Sequence, residues 1–82
     1  MDNVSELHRP IGFTIDGRAY TTIDHRQAAA DLLRLAGLDP SRFDLGELKG
    51  HRPDPVRFTD DTVVEIHNGA RFVSIRHRAD VA

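Results

Sequence analysis

The chain contains no cysteine. That excludes disulfides, thiolate metal sites, a thiol nucleophile and a thioester carried on one of its own side chains. It also fits a reducing, cytoplasmic setting. Lysine is nearly absent: of the 11 Lys+Arg residues only Lys49 is a lysine. Lys49 is therefore the sole side-chain amine through which another chain could be attached, and otherwise an ordinary lysine at a strand end. Positive charge is not in excess. The net charge is −2 and the pI about 6.2, so nothing marks a nucleic-acid partner. No apolar run approaches the roughly 20 residues that span a bilayer, and no membrane partner is expected. The first ten residues, MDNVSELHRP, have neither an apolar core nor a basic leader and do not read as a signal peptide.

Catalytic and metal-binding patterns are missing too. His8, His25, His51, His67 and His77 are scattered singly, without the paired spacing that would put two on one element, so no metal is expected. Asp60-Asp61 reads as a cap rather than a carboxylate dyad. Asp16-Gly17 lacks the surroundings of a phosphate loop. No nucleophile, base and pocket can be assembled, which makes an enzyme the least supported class and calls for no cofactor.

What is present is an ordinary globular composition. With 82 residues, 39% apolar and 29% charged, the chain makes one domain. A domain of this size buries roughly 60–65% of its unfolded surface, enough for one modest core.

The periodicities run in a compact order. Residues 1–10 are polar and read as a flexible tail. Ile11, Phe13 and Ile15 alternate with Gly12, Thr14 and Asp16, the period of a half-buried strand. Asp16-Gly17 is a two-residue hairpin turn, leading into a second strand over 18–23. In that hairpin Phe13 faces Tyr20 and Ile11 faces Thr22. Asp24 with Gln27 three positions on reads as a capping box for a helix over 25–36. Ala28, Ala29, Leu32, Leu33, Leu35 and Ala36 form its apolar stripe. Gly37 ends it, with Leu38 folding back. A third strand is expected over 43–49, with Gly46 marking a bulge because Leu48 is out of phase with Phe43 and Leu45. A short strand over 56–58 pairs with it. Thr59-Asp60-Asp61 then caps a helical turn that carries Val63, Val64 and Ile66 inward. The last strand, 71–76, is central, and 77–82 read as a free tail.

The sum is an α+β domain over residues 11–76. A hairpin, a crossing helix and a final strand inserted mid-sheet, parallel to the first, make a β-grasp: a mixed four- to five-stranded sheet with one helix across it.

These residues resemble a known family. Phe13-Thr14-Ile15-Asp16-Gly17, Tyr20, Asp24, Leu32-Leu33, Leu35-Ala36-Gly37-Leu38, Phe43-Asp44-Leu45, Asn68-Gly69 and Arg71-Phe72-Val73-Ser74-Ile75 look like bacterial ubiquitin-like proteins of the multiubiquitin type. The likeness covers about residues 11–76. It implies the ubiquitin-like β-grasp and the role of a protein modifier in a bacterial ubiquitination-like pathway, often linked to antiviral defence. The partners it implies are an ATP-dependent activating enzyme, a conjugating enzyme, a JAB-type peptidase and target proteins.

The tail departs from the family. Ubiquitin-like modifiers end in glycines, which pass a narrow channel to the adenylation site without a Cβ. Here no glycine follows Gly69. Three readings stand. The tail is trimmed elsewhere, although trimming cannot expose an absent glycine. The activating enzyme accepts a small terminal residue, Ala82 or Ala79. Or the chain is not conjugated and serves as an interaction or adaptor module. A sulfur carrier, a further possibility on this fold, needs a terminal glycine and is disfavoured. Two partner-binding surfaces are expected: the basic Arg76, His77 and Arg78 before the tail, and a sheet face formed by Leu45, Leu48, Phe72 and Ser74, with whichever of Phe72 and Val73 points outward.

Overall fold

The computed structural model describes residues 9–77. Its elements in order are β1 (Ile11–Ile15), β2 (Arg18–Thr22), β3 (Arg26–Ala28), α1 (Ala29–Leu35), β4 (Phe43–Leu48), β5 (Val56–Phe58), β6 (Val63–Glu65) and β7 (Ala70–Arg76). Five strands form one mixed sheet in the order β2-β1-β7-β4-β5, while β3 and β6 form a separate two-stranded ribbon. The fold class is α+β. Strand β7 lies mid-sheet, parallel to β1 and antiparallel to β4.

The hairpin forms as its sequence dictates. Asp16 (φ 52°) and Gly17 (φ 83°) both occupy the positive-φ region that a type I′ turn requires. Phe13 pairs with Tyr20 and Ile11 with Thr22. The Phe13 and Tyr20 rings stack with centroids 5.8 Å apart, and Phe72 meets Phe13 edge-on at 5.9 Å. The helix end also follows the local code. Gly37 (φ 79°) donates to the Arg34 carbonyl at 2.9 Å, and the Leu38 N–H to the Leu33 carbonyl at 2.9 Å. These are the two bonds of a Schellman stop. In the next turn the Ser41 N–H and hydroxyl both donate to Asp39 and hold its carboxyl below the usual carboxylate range.

The helix start differs from expectation. Asp24 and Gln27 do not cap it. Residues 26–28 are strand β3, paired antiparallel with β6 from Arg26↔Glu65 to Ala28↔Val63. The Asp24 carboxylate accepts the Arg26 N–H at 3.2 Å, and Gln27 Nε2 donates to Thr22 Oγ1 and to the Asp24 carbonyl. The helix begins only at Ala29. Its free amides go to carbonyls from a distant turn: Ala29 N–H to Thr62 at 2.9 Å and Ala30 N–H to Asp60 at 3.1 Å. Backbone pairing from residues 60–65 satisfies the donors that the local box was expected to serve.

Two further expectations are corrected by the same ribbon. Thr59-Asp60-Asp61 is a turn, not a helical cap, and leads into strand β6. There Val63 is 64% exposed while Val64 and Ile66 are buried. Leu35, assigned to the helix's apolar stripe, is about half exposed. The core that results is Phe13, Ile15, Ala29, Leu32, Leu33, Leu45, Val64, Ile66 and Phe72, between the sheet and the helix.

Gly46 marks no bulge. The β4–β7 register is unbroken from Phe43↔Arg76 to Leu48↔Arg71. Glycine is there because space is short. A Cβ at 46 would stand 2.8 Å from Ile75 Cδ1 and 3.0 Å from Pro55 Cβ. Leu48 is out of phase with Leu45 simply because it lies on the other side of the sheet.

Candidate functional site

Strand alternation sorts the expected surface residues onto two faces. Leu45 (0% exposed) and Phe72 (1% exposed) point into the core beneath the helix, so neither belongs to an accessible face. Ser74 shares the side of Phe72. It is held by the hairpin turn: its N–H donates to Asp16 Oδ1 at 2.8 Å and its hydroxyl to Asp16 Oδ2 at 2.7 Å. These bonds span 58 residues and close the edge of β7 where β1 has ended.

The open face is carried by the alternate set. On β7 it is Arg71, Val73 and Ile75. On β4, directly opposite, it is Leu48, Gly46 and Asp44. Arg57 of β5 pairs with Gly46 and extends the same row. Val73, Ile75, Leu48 and Pro55 are half-buried, and they converge over the missing side chain of Gly46. The result is a low apolar strip bordered by Arg57 and Arg71. Of the residues expected on this face, Leu48 lies there, and of Phe72 and Val73 it is Val73 that points outward. Ile75 was not expected on it. Both parities of RFVSIR carry large apolar side chains, so alternation alone does not choose between them.

The exit of β7 is more tightly built than a free basic end. Arg76 places its guanidinium carbon 5.8 Å from the centre of the Phe43 ring. The His77 N–H donates to the Arg42 carbonyl at 2.8 Å, and His77 Nε2 lies 2.8 Å from Asp44 Oδ1. Arg57 approaches the other oxygen of the same carboxylate at 3.6 Å. The hydrogen bond to Asp44 holds the His77 imidazole above its ordinary range. Nothing in the local sequence signals this contact, because 33 residues separate its partners. Arg78, Ala79 and Ala82 lie outside the described residues.

Elsewhere, among the described residues, Asp60 Oδ1 is buried without a hydrogen-bond partner, while the carboxylates of Asp16 and Glu47 are engaged. A depression of about 230 Å³ between the hairpin turn and the helix end is lined by Ile15, Asp16, Arg18, Tyr20, Ala36 and Leu38. Its one carboxylate, Asp16, is spent on Ser74. Glu47 is buried on the core side of β4, with Lys49 Nζ 3.9 Å away. Among the described residues no group of three or more His, Asp or Glu side chains is placed to hold a metal ion. No helix among them is long and apolar enough to cross a membrane.

Comparison with known proteins adds no assignment: no family model, no curated protein and no solved structure matches this chain.

Proposed function

We propose that the chain is a ubiquitin-like β-grasp protein that acts as a modifier in a bacterial ubiquitination-like conjugation pathway. The observation that carries the reading is the position of β7. It lies mid-sheet, parallel to β1, and leads out of the sheet beside an open face that is apolar at its centre and basic at its border. A modifier needs both features together. Its carboxyl end must reach an active site while the folded body is gripped by the enzyme that uses it.

In this reading an ATP-dependent activating enzyme adenylates the terminal carboxylate, releasing pyrophosphate. An enzyme cysteine then displaces AMP, and a conjugating enzyme receives the acyl group. The carboxylate belongs to Ala82 or, after trimming, to Ala79. The open face, through Leu48, Val73, Ile75, Arg57 and Arg71, meets a partner surface that is apolar with an acidic rim. A JAB-type peptidase removes the modifier from its targets. The chain is itself no enzyme, takes no cofactor, and works in the cytoplasm.

Intact-mass spectrometry tests this. The protein is co-produced with an activating and a conjugating enzyme of such a pathway, and species heavier by one 9.2 kDa unit less water are sought. Adducts whose linking peptide ends at Ala82 or upstream support the modifier. Only free chain, with the partner enzymes shown to be active, overturns it.

A second reading has its own support in the same open face: a non-conjugated adaptor that binds through the sheet. Deleting residues 78–82 separates the two. A modifier loses all activity, and an adaptor keeps its affinity.

A further inference from the structure

Three contacts fasten the chain where it leaves the sheet: the His77 amide on the Arg42 carbonyl, the His77 imidazole on Asp44 and Arg76 over Phe43; the Arg57 guanidinium stands on the other oxygen of the same Asp44. Of the side-chain types involved, imidazole is the one whose ordinary pKa lies near neutrality. Asp44 is well covered, its side chain 20% exposed, so a second cation on it is screened less than at an open surface.

We propose that His77 and Asp44 form a protonation-controlled clasp on the exit of β7. With the imidazole charged, residue 77 is held against β4. With it neutral, the charge on that side of Asp44 is lost, Arg57 remains the carboxylate's cationic partner, and residue 77 separates from β4 more readily.

The groups facing the imidazole agree with this direction. Asp44 on β4 is the largest influence, through its hydrogen bond and its charge. The Ser41 backbone and Asp60, from the turns flanking β4 and β5, favour the charged ring as well, and partial burial opposes it. Arg57, Arg42 and Arg76 are the neighbouring cations, two of them committed to Asp44 and to Phe43. The sign follows. The folded-state pKa is raised, so the clasp is fully present below the ordinary histidine value of about 6.5. It is lost as pH rises through the higher folded value. Each unit by which the midpoint is raised corresponds to a tenfold difference in the clasp equilibrium between the two protonation states.

The clasp stands without the modifier reading. It bears on that reading because β7 is the strand from which, in that reading, the conjugated end departs.

The test is a histidine titration by NMR on the free 82-residue chain. The expected result is that the His77 ring titrates above the ordinary histidine value of about 6.5. Asp44→Asn should lower its midpoint. The heteronuclear NOE of the His77 amide should fall as pH rises through the His77 midpoint in the parent. It should be flat with pH in His77→Gln, which keeps a side-chain donor and cannot titrate. Unchanged β4 and β7 amide shifts show that the variants fold. A His77 midpoint at or below the ordinary histidine value, one that Asp44→Asn leaves unmoved, or an NOE that does not follow it, overturns the clasp. Either result leaves the mass-spectrometric test of the modifier intact, just as a failure to find adducts leaves the clasp intact.

Discussion

Strands β4 and β7 present two faces made of alternating residues of the same chain segments, and the faces have different fates. Leu45 and Phe72 lie beneath the helix and are closed off by Leu32, Leu33, Val64 and Ile66. One position along, Val73 and Ile75 lie on the opposite side of the sheet and remain half-buried, with the buried backbone of Gly46 beneath them. The helix-side residues differ little in polarity from those opposite. What separates them is the partner layer. Burial here is decided by where helix α1 and the β3–β6 ribbon pack, not by the apolar content of either strand parity.

That contrast is broken most directly by truncating one residue of each kind. Phe72→Ala removes a fully buried ring and should cost about 3–5 kcal/mol. For a chain of this size the whole stability is roughly 4–12 kcal/mol, so the variant stands near unfolding. Val73→Ala, its neighbour on the open face, should cost less than half as much. Urea denaturation of the pair measures both. Equal losses would mean that the open face is as closed as the core.

Gly46→Val sharpens the comparison from the other side. The new side chain would crowd Ile75, whose tip can rotate, and Pro55, which cannot. An overpacked site of this kind loses about 1–3 kcal/mol. A neutral result in the same denaturation assay would show that the apolar strip is looser than its contacts indicate. Gly37→Ala should cost about 1–2 kcal/mol, because it forces a Cβ into the left-handed region at the Schellman stop. Thermal unfolding followed by circular dichroism reads it.

How much of this the sequence disclosed depended on distance along the chain. The Asp16-Gly17 turn, the register of Phe13 on Tyr20 and the stop at Gly37-Leu38 were legible, since each is settled by residues a few positions apart. The central, parallel place of the last strand was legible from the order of elements. The start of the helix was not. Asp24 and Gln27 have the right spacing for a cap, but backbone groups from residues 60–65 outcompete them, and no local pattern announces a strand arriving from so far away. The same holds for the candidate site. Leu45 and Phe72 look as suited to an open face as Val73 and Ile75 until the helix is in place, and Asp44 looks like any strand residue until His77 reaches it.

The smallest stability change and the largest functional one should coincide at Leu48. It stands on the open face opposite Arg71, half-buried, at the end of β4. Leu48→Ser gives up only part of the 1.5–3 kcal/mol that a fully buried leucine contributes, so about 1 kcal/mol or less. A side chain that anchors an interface commonly carries about 2 kcal/mol of the binding, more than a tenfold change in affinity. Under the modifier reading, adduct formation should therefore fall at least tenfold in a protein whose urea midpoint has hardly moved. Under the adaptor reading, partner affinity should fall by the same factor. If instead both functions survive Leu48→Ser in a folded protein, the apolar strip is not the surface that partners use, and the exit of β7 becomes the place where the enzyme must grip.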